Sequence, residues 1–211
     1  MSVSALCAWL MPGDGVIDVG ANVGNYAEAF AKAVGPTGKV VALEPDPETA
    51  ERCRAKCAPY PQITVQSVAL TDRAGMVTLY RDTDDRRRNS LWCSNLIKDT
   101  GECVDVPAIT LDAVVATVPR LAGIKIDAQG AEALILRGAT QTLQRDNLAW
   151  YVEMWPPGVA ASGATIGEVI GAFADHGWEA HGLSWAEVRQ KAEIVTGHGS
   201  FDILVRKAGV S

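Results

Sequence analysis

Along the first third of the chain, short apolar runs alternate with stretches in which apolar residues recur every three or four positions. Val16, Ile17 and Val19 make the first run, β-branched side chains suited to a strand interior. From Val23, apolar residues at Val23, Ala27, Phe30, Ala31 and Val34 keep helical spacing, and Gly35-Pro36 ends that helix. Gly38 to Leu43 reads as a second strand built on Val40, Val41 and Leu43. Pro47, at a first-turn position, opens a second helix with Ala50, Cys53 and Cys57 on one side, and Pro59 and Pro61 close it. Ile63 to Leu70 reads as a third strand, and Met1 to Leu10 as a short helix before the first.

The rhythm then breaks. Met76 to Tyr80 reads as a strand after the turn Asp72-Arg73-Ala74-Gly75, Arg81 to Asn89 as a charged loop, and Leu91 to Ile97 and Val104 to Ile109 as further strands. This block is a β insertion, followed by a helix candidate at Leu111 to Ala116. The alternation resumes with a strand at Gly123 to Asp127, a helix from about Ala131, and a strand at Leu148 to Met154 that Pro156-Pro157 terminates. Thr165 with Glu168, and Ser184 with Glu187, have capping-box spacing for two later helices. Strands near Trp178 to His181 and at Phe201 to Val205 complete the set. No repeat, low-complexity tract or linker interrupts residues 1–211, so the pattern predicts one α/β domain with seven core strands and helices between most of them.

Composition narrows the function classes. Over 211 residues, 48% apolar and 21% charged content is that of a globular protein. A net charge of −6 argues against a nucleic-acid surface, which needs clustered Lys and Arg. No apolar run approaches the roughly 20 residues of a membrane span. The first ten residues carry no basic segment of the signal-peptide kind, so a cytoplasmic location is expected. The five cysteines are odd in number and lack disulfide-framework spacing; Cys53 and Cys57 are one helical turn apart, but no nearby Cys or His completes a metal site, so none is expected.

The chemistry starts at the first strand. Asp18, Gly20, Ala21, Asn22, Val23, Gly24, Asn25 and Tyr26 run from strand through a glycine turn into a helix start, where free backbone N–H groups suit a nucleotide-like ligand. The dinucleotide pattern G-x-G-x-x-G, counted from Gly20, fails at Asn22 and Asn25. The pattern D-x-G-x-G-x-G is met at Asp18, Gly20 and Gly24, with Asn22 at its middle glycine. An acid ahead of the turn suits a ligand with a cationic amine, as on the methionine end of S-adenosylmethionine. Glu44, at the end of the second strand, lies roughly 20 residues beyond the turn, where an acid accepts from a ribose diol. Pro45 and Asp46 follow it on the same edge.

These motifs resemble the FkbM-type S-adenosylmethionine-dependent methyltransferases. The resemblance rests on Ile17 to Gly24, on Ala69-Leu70-Thr71-Asp72, on Ile124-Lys125-Ile126-Asp127-Ala128-Gln129-Gly130-Ala131-Glu132 with Leu136-Arg137-Gly138-Ala139, on Tyr151-Val152-Glu153-Met154, and on Phe201-Asp202-Ile203-Leu204. It spans about residues 12 to 207. It implies a Rossmann-like class I methyltransferase fold: a seven-stranded, mostly parallel sheet with an antiparallel last strand and helices on both faces. It also implies O-methylation of a small molecule or glycan, with S-adenosylhomocysteine as product. Ala69, Leu70, Ser90, Asp127 and Gln129 become cofactor-side candidates. The family commonly has Asp-x-Glu-Gly where this chain has Asp127-Ala128-Gln129-Gly130, and a glutamine can neither act as base nor carry charge. Little chain precedes Pro12, so the site is expected to be open or covered by another subunit of a homo-oligomer.

Methyl transfer to a hydroxyl needs an aligned acceptor and removal of a proton. Asp127 and Glu153, at two strand ends, are the catalytic candidates. Asp127 could instead contact the methionine amine, orient the acceptor or cap a helix, and Glu153 could be structural. Of the three histidines, His176 reads as structural, His181 as remote, and His198 as a weak base candidate. Arg86-Arg87-Arg88 reads as a solvated loop or, more sharply, as recognition of an anionic acceptor. Trp92 and Trp155 are core or pocket-wall aromatics. The rival readings are a non-catalytic binding module and an NAD-dependent oxidoreductase.

Overall fold

The computed structural model describes residues 3–82, 89–92 and 99–207. In chain order the elements are α1 (Ser4–Cys7), β1 (Gly15–Val19), α2 (Asn25–Val34), β2 (Lys39–Leu43), α3 (Pro47–Cys57), β3 (Ile63–Gln66), β4 (Ala69–Leu70), β5 (Gly75–Asp82), β6 (Asp99–Ile109), α4 (Leu111–Val115), β7 (Leu121–Ile126), α5 (Glu132–Arg137), β8 (Ala149–Met154), α6 (Pro156–Ala161), α7 (Ile166–Ala174), β9 (Trp178–Ala180), α8 (Trp185–Glu193) and β10 (Phe201–Lys207).

Seven strands form one sheet in the order β3-β2-β1-β7-β8-β10-β9. β1 pairs in parallel with β2 and β7, as do β2 with β3 and β7 with β8; β10 runs antiparallel to both β8 and β9. The predicted seven-stranded, mostly parallel sheet with an antiparallel last strand is therefore present. Its central strands are buried on both faces, which explains their near-continuous apolar runs. One core lies under α4 to α8 around Ile17, Ile124, Trp150 and Phe173, and the other under α1 to α3 around Val16, Phe30 and Leu204. The β insertion forms a second, three-stranded sheet in the order β4-β6-β5.

Four expectations are corrected. Ile63 to Leu70 is not one strand: the chain leaves the main sheet after Gln66, and Ala69 and Leu70 pair with Ala108 and Ile109 of the insertion. Pro156 and Pro157 do more than end β8. They occupy the first turn of α6, where a missing N–H costs no hydrogen bond and the fixed φ suits a helix. Of the expected capping boxes, Ser184/Glu187 is reciprocal, whereas at Thr165 the hydroxyl accepts from the Glu168 N–H and no return bond to the Thr165 backbone is formed. Arg81 and Asp82 belong to β5 rather than to a loop. Arg86 to Arg88, Cys93 and most of the strand expected at Leu91 to Ile97 lie outside the described residues. Among the described residues, no helix is long and apolar enough to cross a membrane.

Candidate active site

A cleft of about 630 Å³ opens at the carboxyl ends of the parallel strands, the usual ligand crevice of a doubly wound sheet. Its walls are the turn after β1, the end of β2, the insertion at Ala69, Leu70 and Ser90, the segment after β7, and the strand end Glu153 with Trp155, His198 and Ser200.

The turn after β1 is shaped by three positive φ angles, at Gly20 (71°), Asn22 (51°) and Gly24 (87°). Asn22 fills the middle-glycine position because asparagine tolerates the left-handed region better than other side chains. A Cβ on Gly20 would lie 1.8 Å from the Asp127 carbonyl oxygen, so this glycine lets β1 touch the end of β7. Glu44 reaches across from β2. Its Oε2 accepts from the Asn22 N–H (2.8 Å) and its Oε1 from the Asp46 N–H (3.0 Å). Burial pushes its carboxyl up to about 7, against the lowering effect of those two amides.

Three sequence candidates lie elsewhere. Asp18 is fully buried behind the turn and faces the Lys125 ammonium at 2.9 Å; it does not line the cleft. Gly24 faces the thiols of Cys57 and Cys53, whose sulfurs a Cβ would approach to 2.8 and 3.0 Å, so it serves contact between α2 and α3. Asp46 caps α3 by accepting from the Thr49 N–H, and its other oxygen takes the Arg81 guanidinium at 2.7 Å. Ala21, Asn22, Val23, Asn25, Tyr26, Glu44, Pro45, Ala69, Leu70, Ser90, Asp127, Gln129 and Glu153 are brought together around the cleft as the sequence suggested.

Lys125 is the residue sequence reasoning missed. It is 1% exposed, donates to the carbonyls of Val19 (3.2 Å) and Gly20 (3.0 Å), and lies 3.7 Å from Asp127 Oδ2 and 5.0 Å from the centre of the Tyr26 ring. Burial alone would lower its pKa, but the carboxylates of Asp18 and Asp127 outweigh this and hold it above the ordinary lysine value. The available signal was one cation in the strand Ile124-Lys125-Ile126, where every other side chain is apolar.

After β7, Asp127 and Gln129 face Glu153. The Gln129 amide nitrogen donates to Asp127 Oδ1 (2.9 Å) and to Glu153 Oε2 (3.0 Å), and Ser200 Oγ donates to Glu153 Oε1 (2.8 Å). Burial first, then the Asp127 carboxylate, push Glu153 up to about 8. Burial would raise Asp127 as well, but Lys125 and the hydrogen bonds from Glu153 and Gln129 hold it below the usual range. The pair thus presents one proton donor and one proton acceptor at neutral pH. Asp127 caps no helix: α5 begins after Ala131 without a side-chain cap. Glu132 stands in the first turn of α5, as the sequence motif places it. It is fully buried, and its Oε1 accepts from the Ala128 and Gly130 N–H groups, both at 3.2 Å.

The other candidates separate. His198 lines the cleft and stacks on Trp155, with centroids 6.1 Å apart and 24° between planes. Trp92 packs against the core instead. His176 bonds the Ala172 carbonyl, and His181 is exposed beyond β9. Among the described residues, no group of His, Cys, Asp and Glu has the placement of a metal site.

Comparison with known proteins gives consistent matches. A family model described as the methyltransferase FkbM domain matches residues 18–181. The 2-O-methyltransferase NoeI of Sinorhizobium fredii is 25% identical over 144 residues, covering 62% of this chain and 59% of that protein. The chain therefore spans about three fifths of that curated relative. Among solved structures, the methyltransferase FkbM of Methylobacillus flagellatus aligns with TM-score 0.50 and 15% identity, over 68% of this chain and 33% of that one. Fibrillarin of Aeropyrum pernix, crystallised with S-adenosyl-L-methionine, aligns with TM-score 0.53 and 13% identity, over 92% and 67%. At these identities the two structures establish the class I methyltransferase fold alone.

Proposed function

This chain belongs to the FkbM methyltransferase domain family, and on that premise we propose that it transfers the methyl group of S-adenosylmethionine to a hydroxyl of a small molecule or glycan. One observation carries the reading: a single cleft holds a buried acid, Glu44, on one flank and the Asp127–Gln129–Glu153 cluster on the other. Its volume is in the range of cofactor sites, roughly 300–1,000 Å³. The residues fit the cofactor by their chemistry. Glu44, once ionised, would accept from ribose hydroxyls, and the turn Gly20 to Asn22 would run beside them. When bound, S-adenosylmethionine would supply a methyl on a sulfonium, whose sulfur would keep the bonding pair as the acceptor oxygen takes the methyl. Asp127, ionised at neutral pH, takes the proton that the acceptor hydroxyl loses. Glu153, protonated below about 8, donates to Asp127 and fixes its orientation. The similarity to a 2-O-methyltransferase supports a hydroxyl as acceptor.

The test is calorimetry with S-adenosylhomocysteine, then transfer of labelled methyl to a panel of hydroxylated acceptors. Absence of S-adenosylhomocysteine binding would defeat the reading. Binding without turnover on any acceptor would instead favour a non-catalytic module.

A further inference from the structure

Gln129 lies between two carboxyls, and its surroundings fix how it meets them. Its backbone has φ 49°, in the left-handed region, which is strained for a non-glycine residue. Two contacts hold it there. Ser90 Oγ donates to the Gln129 carbonyl at 3.1 Å. Gly130, at φ 97°, lies so close to Gly158 that a Cβ would meet its carbonyl carbon at 2.5 Å. A strained backbone fixed from both sides aims one side chain at two carboxyls.

The geometry points to Gln129 as a positioning residue that acts through the Asp127–Glu153 pair. One amide nitrogen, 2.9 Å from Asp127 Oδ1 and 3.0 Å from Glu153 Oε2, ties the two carboxyls together and reserves Asp127 as the proton acceptor. The amide has two N–H groups, one for each carboxyl, whereas an ionised glutamate would have none to give. The groups that face the pair are Lys125 on β7, Asp18 on β1, Tyr26 on α2, Glu132 on α5 and Asp202, opposite Glu153, on β10. Lys125 balances one acid, Asp18, so a third carboxylate at position 129 would leave the cluster with two uncompensated negative charges in place of one. The inference rests on the reading of Asp127 as the group that receives the acceptor proton.

The test is carboxyl-carbon NMR titration of the ligand-free chain, with signals assigned through Asp127→Asn and Glu153→Gln. In Gln129→Leu, which keeps the volume and removes the donors, the Asp127 midpoint is expected to rise by at least about one pH unit, a tenfold change in proton affinity. Gln129→Asn favours the same left-handed backbone but is one methylene short, and should shift Asp127 in the same direction. Unchanged Asp127 and Glu153 titrations in either folded variant would overturn the proposal. A shifted titration in a chain that transfers methyl to no acceptor would uphold the positioning role and defeat only the functional reading.

Discussion

A lysine at 1% exposure in a central strand is tolerable only with its charge matched, and Lys125 has Asp18 at 2.9 Å for that purpose. Asp18 therefore acts on the site from behind, by fixing Lys125 beside Asp127 and under the carbonyls of the turn. Asp18→Asn strands the buried ammonium and is expected to cost about 3–5 kcal/mol in urea denaturation, while Asp18→Asn/Lys125→Met should recover most of that loss. A double variant no more stable than the single would mean the pair is not what the fold depends on. Glu44 lends itself to a pH experiment. With its pKa near 7, it must lose its proton before it can serve as a pure acceptor, so S-adenosylhomocysteine affinity should fall as the pH drops from about 8 to about 6. Glu44→Gln should flatten that dependence, and Glu44→Ala should weaken binding at least tenfold, about 1.4 kcal/mol. Calorimetry showing the same slope in Glu44→Gln would remove Glu44 from the ligand contacts.

At the scale of elements, the strand–turn–helix unit β1–α2 was legible because three local signals agree: β-branched residues, glycines at the turn and helical spacing afterwards. What each turn residue faces was not legible, because it depends on strands far away in sequence. Gly20 faces Asp127, and Gly24 faces the cysteines of α3. Gly20→Ala should therefore be among the most damaging single-methyl additions in the chain, since neither backbone can yield. Asn22→Gly should be nearly neutral, and Asn22→Val should cost about 1–2 kcal/mol for its positive φ. Thermal denaturation of the three variants should rank them in that order of harm: Gly20→Ala, Asn22→Val, Asn22→Gly. The break between β3 and β4 was hidden for a related reason. Apolar residues continue through Val68 to Leu70, and only pairing with β6 shows that the chain has changed sheets. Pro156-Pro157 was ambiguous by nature, as proline both ends a strand and begins a helix.

For the whole molecule, the fold class and strand inventory could be read from periodicity, and the strand ends carrying Glu44, Asp127 and Glu153 from the motifs. The charge balance among them could not, because burial and partners belong to the folded state. That balance governs stability. A carboxyl whose pKa is raised on folding binds its proton more tightly in the native state, so its contribution is complete below its unfolded value and lost as the pH rises through its native one. Glu44 and Glu132, raised from 4.5 to about 7, and Glu153, raised from 4.5 to about 8, set a window between those limits. Asp127 and Asp112, lowered from 3.8, matter only at more acid pH. Thermal stability should therefore decline between about pH 5 and about pH 8, less steeply in Glu132→Gln; a rise across that interval would contradict the assignment. The contact between Gly20 and the Asp127 carbonyl has a last consequence. It joins the turn after β1 and the Asp127 segment into one block of fixed span. Under the proposed function, an acceptor bearing several hydroxyls would be modified at the one whose distance from its own anchoring point matches that span. Regiochemistry would then be a matter of reach rather than of hydroxyl reactivity.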